Sequence, residues 1–407
     1  MQSQDMQNAV ERLMLKNRRF FDSYTYTVPS SEHYPFQWLW DSCFHAIILS
    51  HIDTTLAREE IRSLLARPLA NGLVPHIIYW KKGYETLKWG REYEGDVLTK
   101  AWGTDGVSSI TQPPLIASAL WELHTRAPDI GFLHELYPRI RDHYLCLLTE
   151  RNFSAHGLMG IINPDESGED NSPRFDSLQG LPSRHSPKQN LHRRIDRVRE
   201  HAKCGFDVQN CTRLHFWIED VSFNAISLRA LEALSLIANE IGEKQDSDVF
   251  SLCAQQIRTS MQLYMKSGYR YYSLQGETQE RIIVDTWGLF MPLYAGLLHK
   301  EEATLLVERH LLNSKQFFTN FPIPSVSCTE KSFTGDDLWR GPTWIAINWF
   351  VYKGLKLYGF NDVAETIRQK TIRLLTQSGF REYYDAHTGE GHGAHNFTWG
   401  GLVLDMN

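Results

Sequence analysis

The stretch EDVSFNAISLRALEALSLIANEI, residues 219–241, has the regular spacing of apolar residues that decides the fold. Apolar side chains recur in it at intervals of three and four residues, which is the period of an α-helix with one buried face. These side chains belong to Ile226, Leu231, Leu234, Ile237 and Ile241. Asp220 and Ser222 are candidate N-caps, because their side chains can accept hydrogen bonds from the first backbone N–H groups. The stretch therefore predicts a long helix.

The same periodicity recurs along most of the chain. Similar stretches lie near residues 40–51, 55–69, 112–126, 131–150, 246–266, 286–298, 300–312, 341–358, 361–377 and 397–405. With a marginal helix at 6–17, these stretches predict about twelve helices. Alternating strand patterns are short, as at residues 269–274 and 381–384, and they predict only small hairpins.

The predicted helices follow one another in pairs at a spacing of a few tens of residues, without a strict sequence repeat. This pattern is typical of an array of paired helices and not of a βαβ protein. No linker rich in Pro, Gly or Ser divides the chain, so we predict one all-α domain that spans residues 1–407. The least regular part, residues 176–210, is predicted to be a long irregular insertion or lid.

Composition limits the partner and the compartment. The chain has 407 residues, a formal net charge of −6 and no long basic run outside residues 193–203, which argues against nucleic acid as the main partner. The N-terminus lacks the pattern of a signal peptide, and no apolar stretch approaches the length of a transmembrane helix. Six cysteines without CxxC spacing predict reduced, buried thiols in a cytoplasmic protein. They are Cys43, Cys146, Cys204, Cys211, Cys253 and Cys328.

Five of the predicted helices are preceded or opened by a Trp with polar neighbours. The segments are 36–47, 217–226, 284–297, 339–350 and 397–406. If the N-terminal ends of these helices met, they would surround one cavity with aromatic rings, carboxylates and unpaired N–H groups, which is what a sugar-binding site needs. The alternative is that these large side chains simply fill the core.

Two segments carry carboxylates in turn-rich surroundings. They are NPDESGEDNSPRFD (163–176) and REYYDAHTGEGHGAHNFTW (381–399). Hydrolysis of a glycosidic bond uses two facing carboxyl groups, which can be far apart in sequence. The alternatives are a solvated acidic loop and a surface hairpin. His392 and His395 do not predict zinc, because no Cys ligands or HExxH pattern accompany them, and nothing has EF-hand spacing. No metal or cofactor is expected.

Three motifs in order resemble the signatures of glycoside hydrolase family 63. They are ESGEDNSPR (166–174), WRGPTWIAIN (339–348) and EYYDAHTGEGHGAHNFTW (382–399). HYPFQWLWDSCFHAI (33–47) and GLVPHIIYW (72–80) resemble, more specifically, the bacterial mannosylglycerate and glucosylglycerate hydrolases of that family. The resemblance extends over about residues 30–400. It implies an (α/α)6 barrel with six inner and six outer helices, and an inverting hydrolase of small or terminal α-glucosides or α-mannosides.

The resemblance also implies roles for particular residues. Asp170 matches the general acid and Glu382 the general base, which in an inverting pair lie roughly 6.5–9.5 Å apart. Because the acid must hold a proton, Glu166 and Glu169 would raise its pKa by repulsion if they lay close. Residues expected to bind the sugar are Tyr34, Trp38, Trp40, Asp41, His76, Gln112, Trp339, Arg340 and Trp344.

Two positions depart from the family pattern where the leaving group is expected. Many relatives have Trp where this chain has Asp165, and relatives acting on glyceryl substrates often have Tyr where it has Leu338. The basic segment 183–203 has seven Lys or Arg against Asp196 and Glu200. We hypothesise that part of this segment closes over the leaving group and pairs with an acidic one such as glycerate, which charge reversal at Arg193 and Arg194 would test. The alternative is a solvated basic helix.

Two other functional classes stay open at this point. Sugar epimerases also use (α/α)6 barrels but rely on paired histidines, and a carbohydrate-binding protein would keep the pocket without turnover. The sequence does not predict the choice between glucose and mannose, the leaving group or the oligomeric state. In each case the expected partner is a small carbohydrate, with no nucleic acid and no membrane.

Overall fold

Short turns join most of the helices in consecutive pairs. The computed structural model describes residues 3–80, 103–104 and 106–407, which contain twelve α-helices and a final 3₁₀ helix. The α-helices are α1 (Ser3–Asn17), α2 (Leu39–Ser50), α3 (Thr54–Leu64), α4 (Ile116–Arg126), α5 (Ile130–Glu150), α6 (Pro187–Lys203), α7 (Val221–Glu240), α8 (Lys244–Ser260), α9 (Met291–Tyr294), α10 (Lys300–Leu306), α11 (Ile345–Leu357) and α12 (Asn361–Ser378). The 3₁₀ helix is Thr398–Asp405.

Six of these elements form a closed inner ring. In ring order they are α2, α4, α7, α9, α11 and the 3₁₀ helix, and the last of them contacts α2 again. Outside them, α3 packs on α2, α5 on α4, α8 on α7, α12 on α11, and α1 on the 3₁₀ helix. The ring of paired elements is the (α/α)6 barrel that the sequence resemblance implied, so the predicted fold class is confirmed.

The helix α7 shows why its sequence folds this way. Asp220 caps its first turn by accepting a 2.9 Å hydrogen bond from the backbone N–H of Phe223, as predicted. The predicted apolar positions from Ile226 to Ile237 are buried in the main core. By length and composition alone this helix could cross a membrane, but 78% of its most apolar window is buried inside the protein. It is an inner helix of the barrel.

Several predicted helices are shorter or of another type. The stretch 246–266 is α8 followed by a π-helical turn, Met261–Met265, and the stretch 286–298 is a 3₁₀ turn followed by the four residues of α9. The helix predicted at 397–405 is of the 3₁₀ type throughout. Local hydrogen-bond type depends on packing, which periodicity alone does not report.

The prediction of an irregular insertion at 176–210 is wrong for the seventeen residues of α6. Pro187 opens this helix, and Ser186 and Gln189 form a capping box in front of it. Its few apolar residues, among them Ile195 and Val198, are buried against a cluster that includes Trp38. The helix depends on this tertiary contact, since most of its other residues are charged or polar.

Short antiparallel strands lie where the chain enters the inner helices. β3 (Gln37–Trp38) leads directly into α2 and joins β4 (Ile77–Ile78), β6 (Val107–Ser108) and β5 (Gly103–Thr104) in one sheet. β8 (Ile218–Glu219) precedes α7 and lies between β7 (Gly160–Ile161) and β11 (Leu274–Gln275). β1 (Arg18–Phe21) pairs with β2 (Tyr24–Thr27), β9 (Lys266–Ser267) with β10 (Arg270–Tyr271), and β12 (Arg381–Tyr384) with β13 (Gly391–His395). The last pair is the hairpin predicted at 381–384.

One prediction about the cysteines is wrong. Cys204 and Cys211 form a disulfide across the turn that follows α6, with their Cα atoms 5.7 Å apart. Cys43 and Cys146 are free and buried as expected, while Cys253 and Cys328 are free and partly buried. A spacing of seven residues gave no sign of this pairing, because the turn that brings the two together follows a helix the sequence did not predict. The cytoplasmic location stays a prediction.

Candidate active site

A cavity of about 450 Å³ lies at the end of the barrel where the inner helices begin. Trp38 and Trp344 stand immediately before α2 and α11, and Trp399 is in the first turn of the 3₁₀ helix. The cavity is lined by ten of the eleven predicted site residues. They are Asp170, Glu382, Tyr34, Trp38, Trp40, Asp41, His76, Gln112, Trp339 and Trp344.

One wall of the cavity is aromatic. The rings of Trp339 and Trp344 stack in parallel at 4.0 Å, and Trp344 stacks on Tyr383 at 5.1 Å. Trp40 and Trp399 meet edge to face, with their ring centroids 5.1 Å apart. Flat aromatic faces of this kind bind the apolar faces of sugar rings.

The Trp-bearing segments did not all converge as expected. Segments 36–47, 339–350 and 397–406 reach the cavity, but the Trp residues of the other two do not line it. Trp287 stacks on Phe350 in the barrel core, and Trp217 packs against Phe153. For these two tryptophans the simpler interpretation, that the side chain fills the core, is correct.

Glu382, on β12, presents its carboxylate to the cavity in a fixed orientation. Its Oε1 accepts a 2.7 Å hydrogen bond from the hydroxyl of Tyr34, and its Oε2 accepts a 2.8 Å bond from the backbone N–H of Ala394. Gly393 has a positive φ of 65°, and a Cβ atom at this position would overlap Oε2 of Glu382. The glycine in the GHGAH segment therefore lets the hairpin approach the carboxylate closely.

The carboxylates of the acidic loop 163–176 are not interchangeable. Four of them are nearly inaccessible, and each forms an ion pair with a buried arginine. These pairs are Asp165 with Arg194, Glu166 with Arg151, Glu169 with Arg174, and Asp176 with Arg340. Glu166 and Glu169 are therefore not free charges beside the acid, because a guanidinium compensates each of them.

Asp170 is the exception within this loop. Its side chain is 24% exposed and faces the cavity, whereas the other four are at most 8% exposed. Its Oδ2 lies 2.7 Å from Nη1 of Arg194, and its Oδ1 accepts a hydrogen bond from the N–H of Asn171. Two residues earlier, Gly168 has a φ of 73°, and a Cβ there would overlap the ring of Trp40. The loop is thus pressed against the aromatic wall at the point where Asp170 emerges.

Arg340 is the predicted site residue that does not line the cavity. Its two terminal nitrogens each donate a 2.9 Å hydrogen bond to Asp176, and Nη1 also donates to the carbonyl of Asn171. Its neighbours Trp339 and Trp344 face the cavity, but the guanidinium points to the rear of the acidic loop. In this structure Arg340 braces the segment that carries Asp170, and its role in sugar binding stays a prediction.

Three polar groups complete the lining. Asp41 accepts a 2.7 Å hydrogen bond from Nε1 of Trp399, and its burial raises the pKa of its carboxyl to about 6. His76 contacts Ser108 at 2.7 Å, and burial together with the nearby Arg194 lowers its pKa to about 3, so this imidazole is neutral. Gln112 accepts a hydrogen bond from the backbone N–H of Trp40. A neutral His76 offers a hydrogen-bonding ring nitrogen without a charge.

Two charged residues of the lining, Arg194 and Asp165, were not among the predicted site residues. Arg194 comes from α6, and its guanidinium lies between Asp165 and Asp170. The sequence showed that segment 183–203 is basic, but it did not show that the helix of this segment packs beside Asp165 and Asp170. Within the described part of the chain, the close group of metal-binding residue types is Cys204, Cys211 and His215, of which two form the disulfide. That group does not line the cavity.

Comparisons with known proteins agree over nearly the whole chain. The family model described as the mannosylglycerate hydrolase MGH1-like glycoside hydrolase domain matches residues 34–400. A mannosylglycerate hydrolase of Thermus thermophilus is 30% identical over 96% of this chain and 97% of its own length. A glucosylglycerate hydrolase of Mycolicibacterium hassiacum is 28% identical over 94% of both.

Solved structures lead to the same family. The crystal structure of the GH63 mannosylglycerate hydrolase from Thermus thermophilus in complex with Tris has a TM-score of 0.87 and 28% identity. The alignment covers 98% of this chain and 99% of that one. Structures of that enzyme in complex with glucose, and with Tris and D-glycerate, give TM-scores of 0.84 and 0.86.

Proposed function

The chain belongs to the mannosylglycerate hydrolase MGH1-like glycoside hydrolases of family 63, and from that premise we propose that it hydrolyses a small α-glucoside or α-mannoside with inversion. Asp170 acts as the general acid and Glu382 as the general base. One observation carries the assignment. Two carboxylates more than two hundred residues apart in sequence face one cavity that has an aromatic wall.

The proposed reaction needs the two carboxyl groups in opposite protonation states. Asp170 donates its proton to the glycosidic oxygen as the bond to the leaving group breaks. Glu382 takes a proton from a water molecule, and the oxygen of that water attacks the anomeric carbon from the opposite face of the sugar. The free sugar is then released with the opposite configuration, as the β anomer.

The surroundings of Glu382 support its role as the base. Both carboxylate oxygens accept hydrogen bonds, from Tyr34 and from the N–H of Ala394, which is the arrangement that suits an ionised carboxylate. These two bonds also fix the plane of the carboxylate, so that a water molecule on the cavity side is held in one direction.

The sugar itself is proposed to lie against the aromatic wall. Trp339 and Trp40 offer apolar ring surface, with Trp344 stacked on Trp339, while Asp41, His76 and Gln112 offer hydrogen-bonding groups for hydroxyls. Because the similar enzymes are named for mannosylglycerate and glucosylglycerate, the α-glucosides and α-mannosides of glycerate and of other short polyols are the first substrates to test.

The roles of the two carboxylates are tested by the variants Asp170→Asn and Glu382→Gln. Each should lower kcat by about 10³-fold or more, since it removes one proton-transfer group, while binding of the free sugar by calorimetry stays within about threefold. Trp287→Phe, a substitution in the barrel core outside the lining, is the matched control. Substantial turnover by either carboxylate variant would mean that another residue does the chemistry. Sugar binding by the wild type without any turnover would argue for a binding protein instead.

A further inference from the structure

The guanidinium of Arg194 is shared by two carboxylates in the cavity. Nη1 lies 2.7 Å from Oδ2 of Asp170, and Nη2 forms a short ion pair with Oδ1 of Asp165. Arg194 and Asp165 are 6% and 7% exposed, so solvent screens their interaction little. Arg193, which precedes Arg194 on α6, is exposed and does not line the cavity.

This arrangement marks the side of the cavity where the leaving group would lie. The general acid protonates the oxygen of the departing group, so side chains beside Asp170 face that group. Besides Asp165 and Arg194, the apolar Leu338 belongs to this region. Its neighbour Trp339 donates a backbone hydrogen bond of 2.9 Å to the side chain of Asn171, next to the acid.

Among the described residues, the two charged groups that line the cavity beside Asp170 balance each other when the acid is ready to react. With Asp170 protonated, Asp165 contributes one negative charge and Arg194 one positive charge. An anionic leaving group would compete with Asp165 for the same guanidinium and would bring two negative charges together in a buried place. A neutral polyol would accept hydrogen bonds from Arg194 and donate them to Asp165 without disturbing the pair.

We propose that the leaving group is a neutral polyhydroxyl group, such as glycerol or a second sugar, and that Asp165 sets this choice by holding Arg194. The inference rests on the proposed function and names its substrate class. It replaces the hypothesis that part of the basic segment 183–203 pairs with an acidic leaving group. It also separates this chain from the relatives named for glycerate glycosides, since glycerate carries a carboxylate.

A matched pair of substrates tests the proposal. The α-glucosides of glycerol and of D-glycerate differ only in a hydroxymethyl group against a carboxylate, and the corresponding α-mannosides form a second pair. The wild type should hydrolyse the glycerol glycoside with a kcat/KM about tenfold or more above that of the glycerate glycoside. Asp165→Asn should shift this ratio toward the glycerate glycoside by about tenfold, because it frees the guanidinium, whereas Asp165→Glu should keep the wild-type ratio.

Every outcome decides for or against the proposal. A purely structural role for Asp165 would lower both rates together and leave the ratio unchanged, which would overturn the assignment to Asp165. A wild type that prefers the glycerate glycoside, or does not discriminate, would overturn the neutral leaving group itself. If Asp165→Asn folds but is inactive, Asp165→Ser gives the same comparison, and inactivity of both would show that Asp165 serves the chemistry instead. Failure of the wild type to hydrolyse any of these four glycosides would count against the proposed function, and this result differs from each of the outcomes above.

Discussion

The acidic loop 163–176 carries the proposed acid, Asp170, and the hairpin of β12 and β13 carries the proposed base, Glu382, but the two carboxylates are held by different means. The loop carries five carboxylates, and buried arginines pair with them. Arg174 comes from the loop itself, and Arg151, Arg194 and Arg340 come from outside it. Glu382 is held by the hydroxyl of Tyr34, by the backbone N–H of Ala394 and by the close approach of Gly393 on the hairpin. The position of the acid thus depends on charge balance, and that of the base on close packing and neutral hydrogen bonds. Substitutions that disturb the acid side should therefore mainly lower the free energy of unfolding, whereas substitutions that disturb the base side should mainly lower kcat.

The largest expected effect is on the acid side. Arg340→Met leaves Asp176 buried without its cation and removes the bond to the carbonyl of Asn171. The free energy of unfolding should fall by about 3–5 kcal/mol, measured by urea denaturation. Arg199→Met, which breaks an exposed pair with Asp196, is the control and should cost less than about 1 kcal/mol. Equal losses in the two variants would contradict the view that buried charge balance holds the loop.

On the base side, the corresponding change is steric. Gly393→Ala places a methyl group on Oε2 of Glu382, and the displaced carboxylate should lower kcat by about 10²-fold. Gly268→Ala is a matched control, because Gly268 also has a positive φ, of 63°, but nothing lies within 4 Å of the added atom. Both variants carry the same kind of backbone strain, so only the clash distinguishes them. Similar kinetics for the two would show that the hairpin tolerates movement of the base.

Asp41 belongs to neither segment and provides a prediction about pH. Its carboxyl is buried, and its pKa is raised from 3.8 to about 6. The folded state holds the proton of Asp41 more strongly than the unfolded state does. The stability gained from this difference is complete below the unfolded pKa of 3.8 and is lost as pH rises through about 6. Relative to Asp41→Asn, the wild type should lose about 2–3 kcal/mol of unfolding free energy between about pH 4 and pH 7. Denaturation curves of both proteins across this range measure it, and a difference that does not vary with pH would refute it.

The smallest effect concerns the hydroxyl on Glu382. Tyr34→Phe removes one of the hydrogen bonds that the described residues donate to the base and should lower kcat by about tenfold, with little change in stability. Tyr137→Phe removes an equally short bond to a carboxylate, Asp246, far from the cavity, and should leave kcat unchanged. If Tyr34→Phe kept full activity, the hydroxyl of Tyr34 would not be needed to orient the base.

Much of the barrel could be predicted because periodicity records which face of a helix is buried. The helix α7 and its cap at Asp220 are the clearest case. The helix α6 escaped prediction because its burial depends on docking against Trp38 and its neighbours, and its sequence has only scattered apolar residues. The single-domain prediction for residues 1–407 stays a prediction.

The candidate site likewise contains residues that the sequence could predict and contacts that it could not. The motifs pointed to ten residues that do line the cavity, and several of them open an inner helix or lie on a strand beside one. The contact of Arg340 with Asp176 could not be predicted, because a motif gives the position of a residue but not the direction of its side chain. The shared contacts of Arg194 could not be foreseen, because they join a helix of the insertion to a loop about thirty residues earlier through tertiary packing alone.

The most direct test of the account is to follow the anomer released by the wild type with ¹H NMR during the first minutes of hydrolysis of an α-glucoside or α-mannoside. If Asp170 and Glu382 act from opposite faces of the sugar, the β anomer appears first and the α anomer grows only by mutarotation. The α anomer appearing first would mean retention of configuration, and it would contradict the pairing of these two carboxylates as acid and base.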